Sequence, residues 1–185
     1  MARHPAIADI RDLLTFRIAM LAAANDRMGQ DWLQSLYGLR ILEWRVLGLV
    51  AAREPVGFGE VARALLVDKG QLSRLVKQLG ARGLLAAEPD GRDQRLVLLS
   101  LTAAGRALHD RVLPVALERN ERVVSALSAQ ETAQLVGLLD KLQPFMAHRV
   151  EQADLVEPAE RVGPDERLGE GAGQARLRRT TGKER

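Results

Sequence analysis

The chain has 185 residues, 46% of them hydrophobic but only 3% aromatic, with 27 Lys and Arg against 24 Asp and Glu for a formal charge of +3. That length suits one domain, or one domain with an appendage, and a core built from Leu, Ala and Val favours packed helices over a β-sandwich. The absence of cysteine excludes disulfides, thiolate metal sites and cysteine-based redox sensing, and with so slight a cationic excess the placement of charge says more than its sum.

The opening stretch MARHPAIADIRDLL lacks the apolar core of a signal peptide, because Asp9, Arg11 and Asp12 interrupt it. No apolar run approaches the roughly 20 residues that a membrane helix needs. A soluble, cytoplasmic protein is expected. Across residues 6–27, Ile7, Ile10, Leu14, Ile18 and Leu21 recur three or four apart and predict one helical face. A polar break at Gly29 follows, then a short segment with Trp32, Leu36 and Tyr37. RILEWRVLGLVAA at 40–52 predicts a buried helix containing Trp44, stopped by Pro55 and Gly57.

A short helix is expected over residues 59–66. Asp68 lies three residues before Gln71, the spacing of a capping box, and starts a helix running to Arg82 that Gly83 ends. Its Leu72, Leu75, Val76 and Leu79 face inward, which leaves Gln71, Arg74, Lys77 and Gln78 outward. Strands over 84–88 and 95–101 flank a turn at Pro89-Asp90-Gly91, where Pro presets φ and Gly tolerates a positive one. Thr102 caps a long helix that Pro114 is expected to kink. Ser128 and Glu131 form a second capping box, for a helix bearing Leu135, Leu138, Leu139 and Leu142. Beyond Pro144 apolar periodicity fades, and residues 149–185 read as a disordered tail, acidic first and basic at its end.

Helix, short turn, helix and hairpin in that order make a winged helix-turn-helix. The expected class is mainly α with a small β-hairpin wing (α+β), flanked by helical arms. The chemistry suits double-stranded DNA. Gln71 and Arg74 can pair bidentately with adenine and guanine in the major groove, for about 1–3 kcal/mol of discrimination each. Lys77 joins them there. Lys69 and Ser73 suit phosphates, which set register rather than sequence. A hairpin tip carrying Arg92 and Arg95 fits the narrower minor groove, and Asp90 and Asp93 are expected to pair with those arginines. An ordinary solvated helix face and an ordinary charged turn are the alternatives. His4, His109 and His148 match no metal-ligand spacing and are expected at chance surface positions. No nucleophile motif or Gly-rich phosphate loop is present, so neither an enzyme nor a cofactor is expected.

Three stretches, LEWRVLGLVAAREP at 42–55, EVARALLVDKGQLSRLVKQLGARGLL at 60–85 and DGRDQRLVLLSLTAAG at 90–105, resemble the MarR family (multiple antibiotic resistance regulators). The last looks like the family's wing followed by its Leu-Thr-x-x-Gly helix start. The resemblance implies a domain over residues 6–148, with dimerisation arms at 6–38 and 103–148 around a DNA-binding lobe at 39–102. It implies a homodimeric, ligand-responsive repressor on a pseudopalindromic operator, with the wing arginine in the minor groove and its neighbouring Asp holding the wing's shape. It also implies a small aromatic, phenolic or aromatic-acid effector, for which Arg17 is a carboxylate partner and Trp44 an apolar wall. Arg17 as a solvated or intersubunit ion-pair residue and Trp44 as core remain open. A winged-helix module that binds protein instead of specific DNA is the alternative function.

Overall fold

A computed structural model describes residues 7–153. A 3-10 turn over Ile10–Asp12, capped by Asp9, precedes α1 (Leu14–Tyr37). Ile7 and Ile10 therefore lie outside the helix that their spacing predicted. Nor does α1 break at Gly29. That glycine is buried where α2 (Ile41–Ala52) crosses, and a Cβ on it would sit 2.9 Å from Ile41 Cδ1. It marks a close approach of two helices. The break comes at Gly38, whose φ of 60° closes α1 while its amide donates to Gln34.

β1 (Val56–Gly57), α3 (Phe58–Leu65) and α4 (Lys69–Ala81) follow. α4 starts on half of the expected capping box: Asp68 Oδ1 accepts from the Gln71 amide at 2.7 Å. Leu72, Leu75, Val76 and Leu79 are all buried, as their spacing required. Gly83, at a φ of 68°, turns the chain into β2 (Leu85–Pro89). β3 (Val97–Leu101) returns antiparallel, with Pro89 opposite Val97 and Leu85 opposite Leu101. Arg95 thus belongs to the turn and not to the strand. A third strand also joins: β1 pairs with β3, Val56 opposite Leu99, giving the order β1-β3-β2. Two residues are too few to show a period of two.

α5 (Ala103–Val124) begins on Thr102, whose Oγ1 accepts from the Gly105 amide at 3.0 Å and donates to the Gly83 carbonyl at 2.6 Å. Pro114 lies within α5 without ending it. Both halves of the Ser128–Glu131 box form, at 2.8 and 3.3 Å, and open α6 (Ala129–Ala153). α6 continues through Pro144, so residues 150–153 are helical. The rest of the predicted tail lies outside the described residues. Two units divide the chain, Met1–Asp140 and Lys141–Arg185. The first holds the core, in which Leu33, Leu47, Leu72, Leu79, Leu99 and Val112 are fully buried. Among the described residues no helix is long and apolar enough to cross a membrane.

The first turn of α5 presses on the chain leaving α4. The Thr102 amide donates to Leu84 O at 3.2 Å, and a Cβ on Gly105 would lie 1.9 Å from that same oxygen. Because the colliding atom is backbone, no rotamer change relieves it. Gly105→Ala should destabilise the protein by about 1–3 kcal/mol in urea unfolding. Gly48→Ala, inside α2 with open space at its Cβ, should be neutral or stabilising by up to about 1 kcal/mol.

Glu54, just before β1, ties two further elements: Oε2 accepts from the Leu101 amide at 2.8 Å, and Oε1 pairs with Arg106 of α5. The Leu101 amide first, then the Arg106 guanidinium, hold its carboxyl below the ordinary value of 4.5. A depressed native pKa contributes stability above the unfolded value, and that stability is lost as pH falls through the native one. Acid unfolding of Glu54→Gln should therefore be flatter than wild type below about pH 4.5, with the two curves parallel above about pH 6. Equal slopes at low pH would remove Glu54 from the account.

Candidate nucleic-acid interface

The buried leucines of α4 determine what its other side presents. With Leu72, Leu75, Val76 and Leu79 inward, Lys69, Arg74 and Lys77 are exposed, while Gln71 and Ser73 flank them half-buried. Arg74 folds back towards the start of the helix: a Cβ on Gly70 would lie 4.0 Å from Arg74 Nη1 and 3.1 Å from Asp68 Oδ1. Gly70 leaves the guanidinium room to lie along the first turn. Gln78, also on the outward side, is engaged instead by the Arg40 guanidinium.

The hairpin grows directly from the end of α4, where the Leu84 amide donates to Leu79 O at 2.9 Å. Arg92 and Arg95 are both exposed at its tip. Asp90 and Asp93 hold the tip, but not by the expected ion pairs. Asp90 Oδ1 accepts from the backbone amide of Arg92 at 2.8 Å, and Asp93 Oδ1 from that of Arg95 at 3.0 Å. These are Asx turns, which the Asp-x-Arg spacing itself signals. Two backbone bonds, Asp90 N to Leu96 O and Leu96 N to Asp93 O, close the loop at 2.8 and 2.9 Å. The carboxylates thus shape the turn and leave the guanidinium groups free for another partner.

Charge pairing separates scaffold from surface. Arg40, Arg45, Arg53, Arg82 and Arg106 each sit against a carboxylate. Lys69, Arg74, Lys77, Arg92 and Arg95 form no ion pair among the described residues. Exposed cations outside any ion pair, on one helix and the hairpin beside it, suit a polyanion. Arg63, exposed in the last turn of α3, adds a cation that the sequence pattern did not single out.

A cavity of about 490 Å³ opens between α1, α2 and α5, lined among others by Met28, Trp32, Ile41, Trp44, Arg45 and Arg119. Arg45 is paired with Asp26. Arg119 lies 5.2 Å from the centre of the Trp32 ring and donates to Met28 O at 3.3 Å. Trp44 thus reaches the cavity while its ring also stacks on His109, centroids 5.5 Å apart. Arg17 does not line the cavity. It donates to Arg11 O at 2.8 Å and sits 3.6 Å from Asp12 at the start of α1. The two residues expected to share an effector are not brought together. His109, expected at the surface, is buried and bonds Asp110 at 2.9 Å. His4 and the His148 side chain lie outside the described part. No group of three metal-ligating side chains occurs among the described residues.

Comparison with known proteins gives the same architecture. A sequence model of the MarR family matches residues 37–96. The HTH-type transcriptional regulator YkoM of Bacillus subtilis is 32% identical over 105 residues, which span 57% of this chain and 68% of that one. The transcriptional repressor NicR of Pseudomonas putida is 34% identical over 88 residues, 48% of this chain and little more than half, 56%, of that one. A crystal structure of a mutant MarR from Escherichia coli complexed with operator DNA superposes with a TM-score of 0.63 at 28% identity, covering 70% of this chain and 92% of that one.

Proposed function

The chain belongs to the MarR family and is a DNA-binding transcriptional regulator, and from that premise we propose that it is a homodimeric, ligand-responsive repressor. The observation that carries the DNA reading is the set of unpaired cations on α4 and the hairpin. α4 enters the major groove, where Gln71 and Arg74 meet base edges and Lys77 assists. Lys69 and Ser73 meet phosphates. Arg92 and Arg95 follow into the adjacent minor groove on a tip shaped by Asp90 and Asp93. Repression accords with the name of the similar NicR.

Two copies follow from reach and from exposed surface. One winged helix reads only a few base pairs, so a pseudopalindrome with half-sites about 34 Å apart needs two. The arms expose apolar side chains that the described chain leaves uncovered: Leu14, Met20 and Leu21 on α1, Leu117 and Val123 on α5, Leu135 and Leu138 on α6. So much apolar surface marks an interaction face, and a second copy covers it in this reading.

The effector is a small aromatic acid in the cavity between α1, α2 and α5. Its size fits a ligand site, Trp32, Trp44, Met28 and Ile41 supply apolar walls, and Arg119, which has no carboxylate partner among the described residues, takes the acid as a charge-assisted pair. Arg119 thus replaces Arg17 in that role. Binding there favours a lobe spacing that no longer spans both half-sites.

Titrations on DNA from immediately upstream of the gene test this. Arg74→Ala should lose base preference, flattening the affinity differences among operator variants by about 1–3 kcal/mol at the contacted position. Arg92→Ala should weaken all sequences alike and lower the salt slope by about 1. Equal losses on every sequence for Arg74→Ala would contradict the assignment. Negligible binding by the wild type would favour a protein-docking module instead. For the cavity, benzoate should raise the melting temperature of wild type and leave Arg119→Ala unmoved; an equal rise in both would place the acid elsewhere.

A further inference from the structure

α2 presents two working faces. One carries Ile41, Trp44 and Arg45 to the cavity. The other carries Glu43, only 4% exposed, to the end of α4. Glu43 Oε2 accepts from the Arg40 amide at 2.7 Å and from Arg82 Nη1 at 3.3 Å; Oε1 takes the Arg40 guanidinium at 3.3 Å. The same Arg40 guanidinium donates to Gln78 of α4, and Arg82 also donates to the Gly38 carbonyl at the end of α1, at 3.1 Å. A single buried carboxylate thereby gathers the end of α1, the first turn of α2 and the last turn of α4 with its cap.

Gln78 and Arg82 are one turn apart on α4, so both holds fall along one line of the helix. The leucines of α4 set its depth against the core by close packing, which has no directional preference of its own. Hydrogen bonds to a charged, buried acceptor are directional and short of alternatives. Gln78 in turn lies one turn from Arg74, so the orientation fixed there is that of the reading face. On the far side, Ile41 is wedged against Gly29 of α1, and its amide donates to Gln30 Oε1 at 3.0 Å. Whatever shifts the first turn of α2 at the cavity must shift the clamp.

We propose that Glu43 is a positioning residue, which fixes the orientation of α4 through Arg40–Gln78 and Arg82 and passes displacement of the first turn of α2 to the DNA-reading face. The proposal rests on the DNA-binding reading above and supplies its route from cavity to DNA. The full chain is titrated with the upstream DNA fragment by fluorescence anisotropy, beside thermal unfolding. Gly29→Leu acts as the probe, a covalent wedge that pushes Ile41 from α1; Ile41→Phe does the same from α2 should the glycine variant not fold. With the clamp intact, the wedge should weaken DNA binding by about fivefold to tenfold. In the Gln78→Ala or Glu43→Gln background it should have less than about a twofold further effect, because the connection is already cut. Gln78 is exposed, so its variant keeps the test alive if Glu43→Gln fails to fold. Fold-changes that simply multiply, or a wedge without effect on the intact clamp, would overturn the proposal while leaving the regulator reading in place. Absence of wild-type binding would remove both.

Discussion

The contact between the start of α5 and the chain leaving α4 is the constraint from which the rest of the architecture follows. Thr102 bonds the Gly83 and Leu84 carbonyls, and Gly105 lies where even a methyl group would strike Leu84 O. Three elements meet there: the end of α4, the base of the hairpin and the first turn of α5. Because backbone meets backbone, their relative placement cannot drift by rotamer exchange. A helix and a hairpin that enter neighbouring grooves together, as proposed, need that kind of junction. Glu54 reinforces it from the other side of the sheet by holding the Leu101 amide and Arg106.

Electrostatics divides the molecule along a similar line. Arginines that pair with carboxylates hold elements together: Arg40 and Arg82 on Glu43, Arg45 on Asp26, Arg106 on Glu54. The acids of the hairpin are spent on backbone amides, so Arg92 and Arg95 keep their donors. Such a partition leaves a chain with a formal charge of only +3 with exposed cations on α4 and the hairpin tip that no described carboxylate pairs. Net charge is a poor guide to where such cations lie.

Local chemistry was legible in the sequence. Asp68, Thr102 and the Ser128–Glu131 pair cap the helices that their spacing indicated, because a cap involves residues within one turn. The buried face of α4 followed from period alone. The failures share one cause, dependence on distant chain. Gly29 read as a break, and only the passage of Ile41 beside it shows a packing glycine. β1 has two residues and exists because Leu98 and Leu99 lie opposite. His109 is buried by Trp44, 65 positions away by the numbering. Arg17 looked suitable for an acid by residue type, whereas Arg119 from the other arm reaches the cavity. Glu43, an ordinary helix-start acid in sequence, gains its significance from Arg82, a residue of another helix end.

The central claim is that α4 and the hairpin read adjacent grooves of one duplex, twice, from paired subunits. Groove-resolved methylation footprinting on the upstream fragment tests it most directly. Guanine N7 positions report the major groove and adenine N3 positions the minor groove. The account predicts two blocks of major-groove protection centred about 10 base pairs apart or a multiple of that, each flanked by minor-groove protection. Protection in one groove alone, or a single unpaired block, would contradict it.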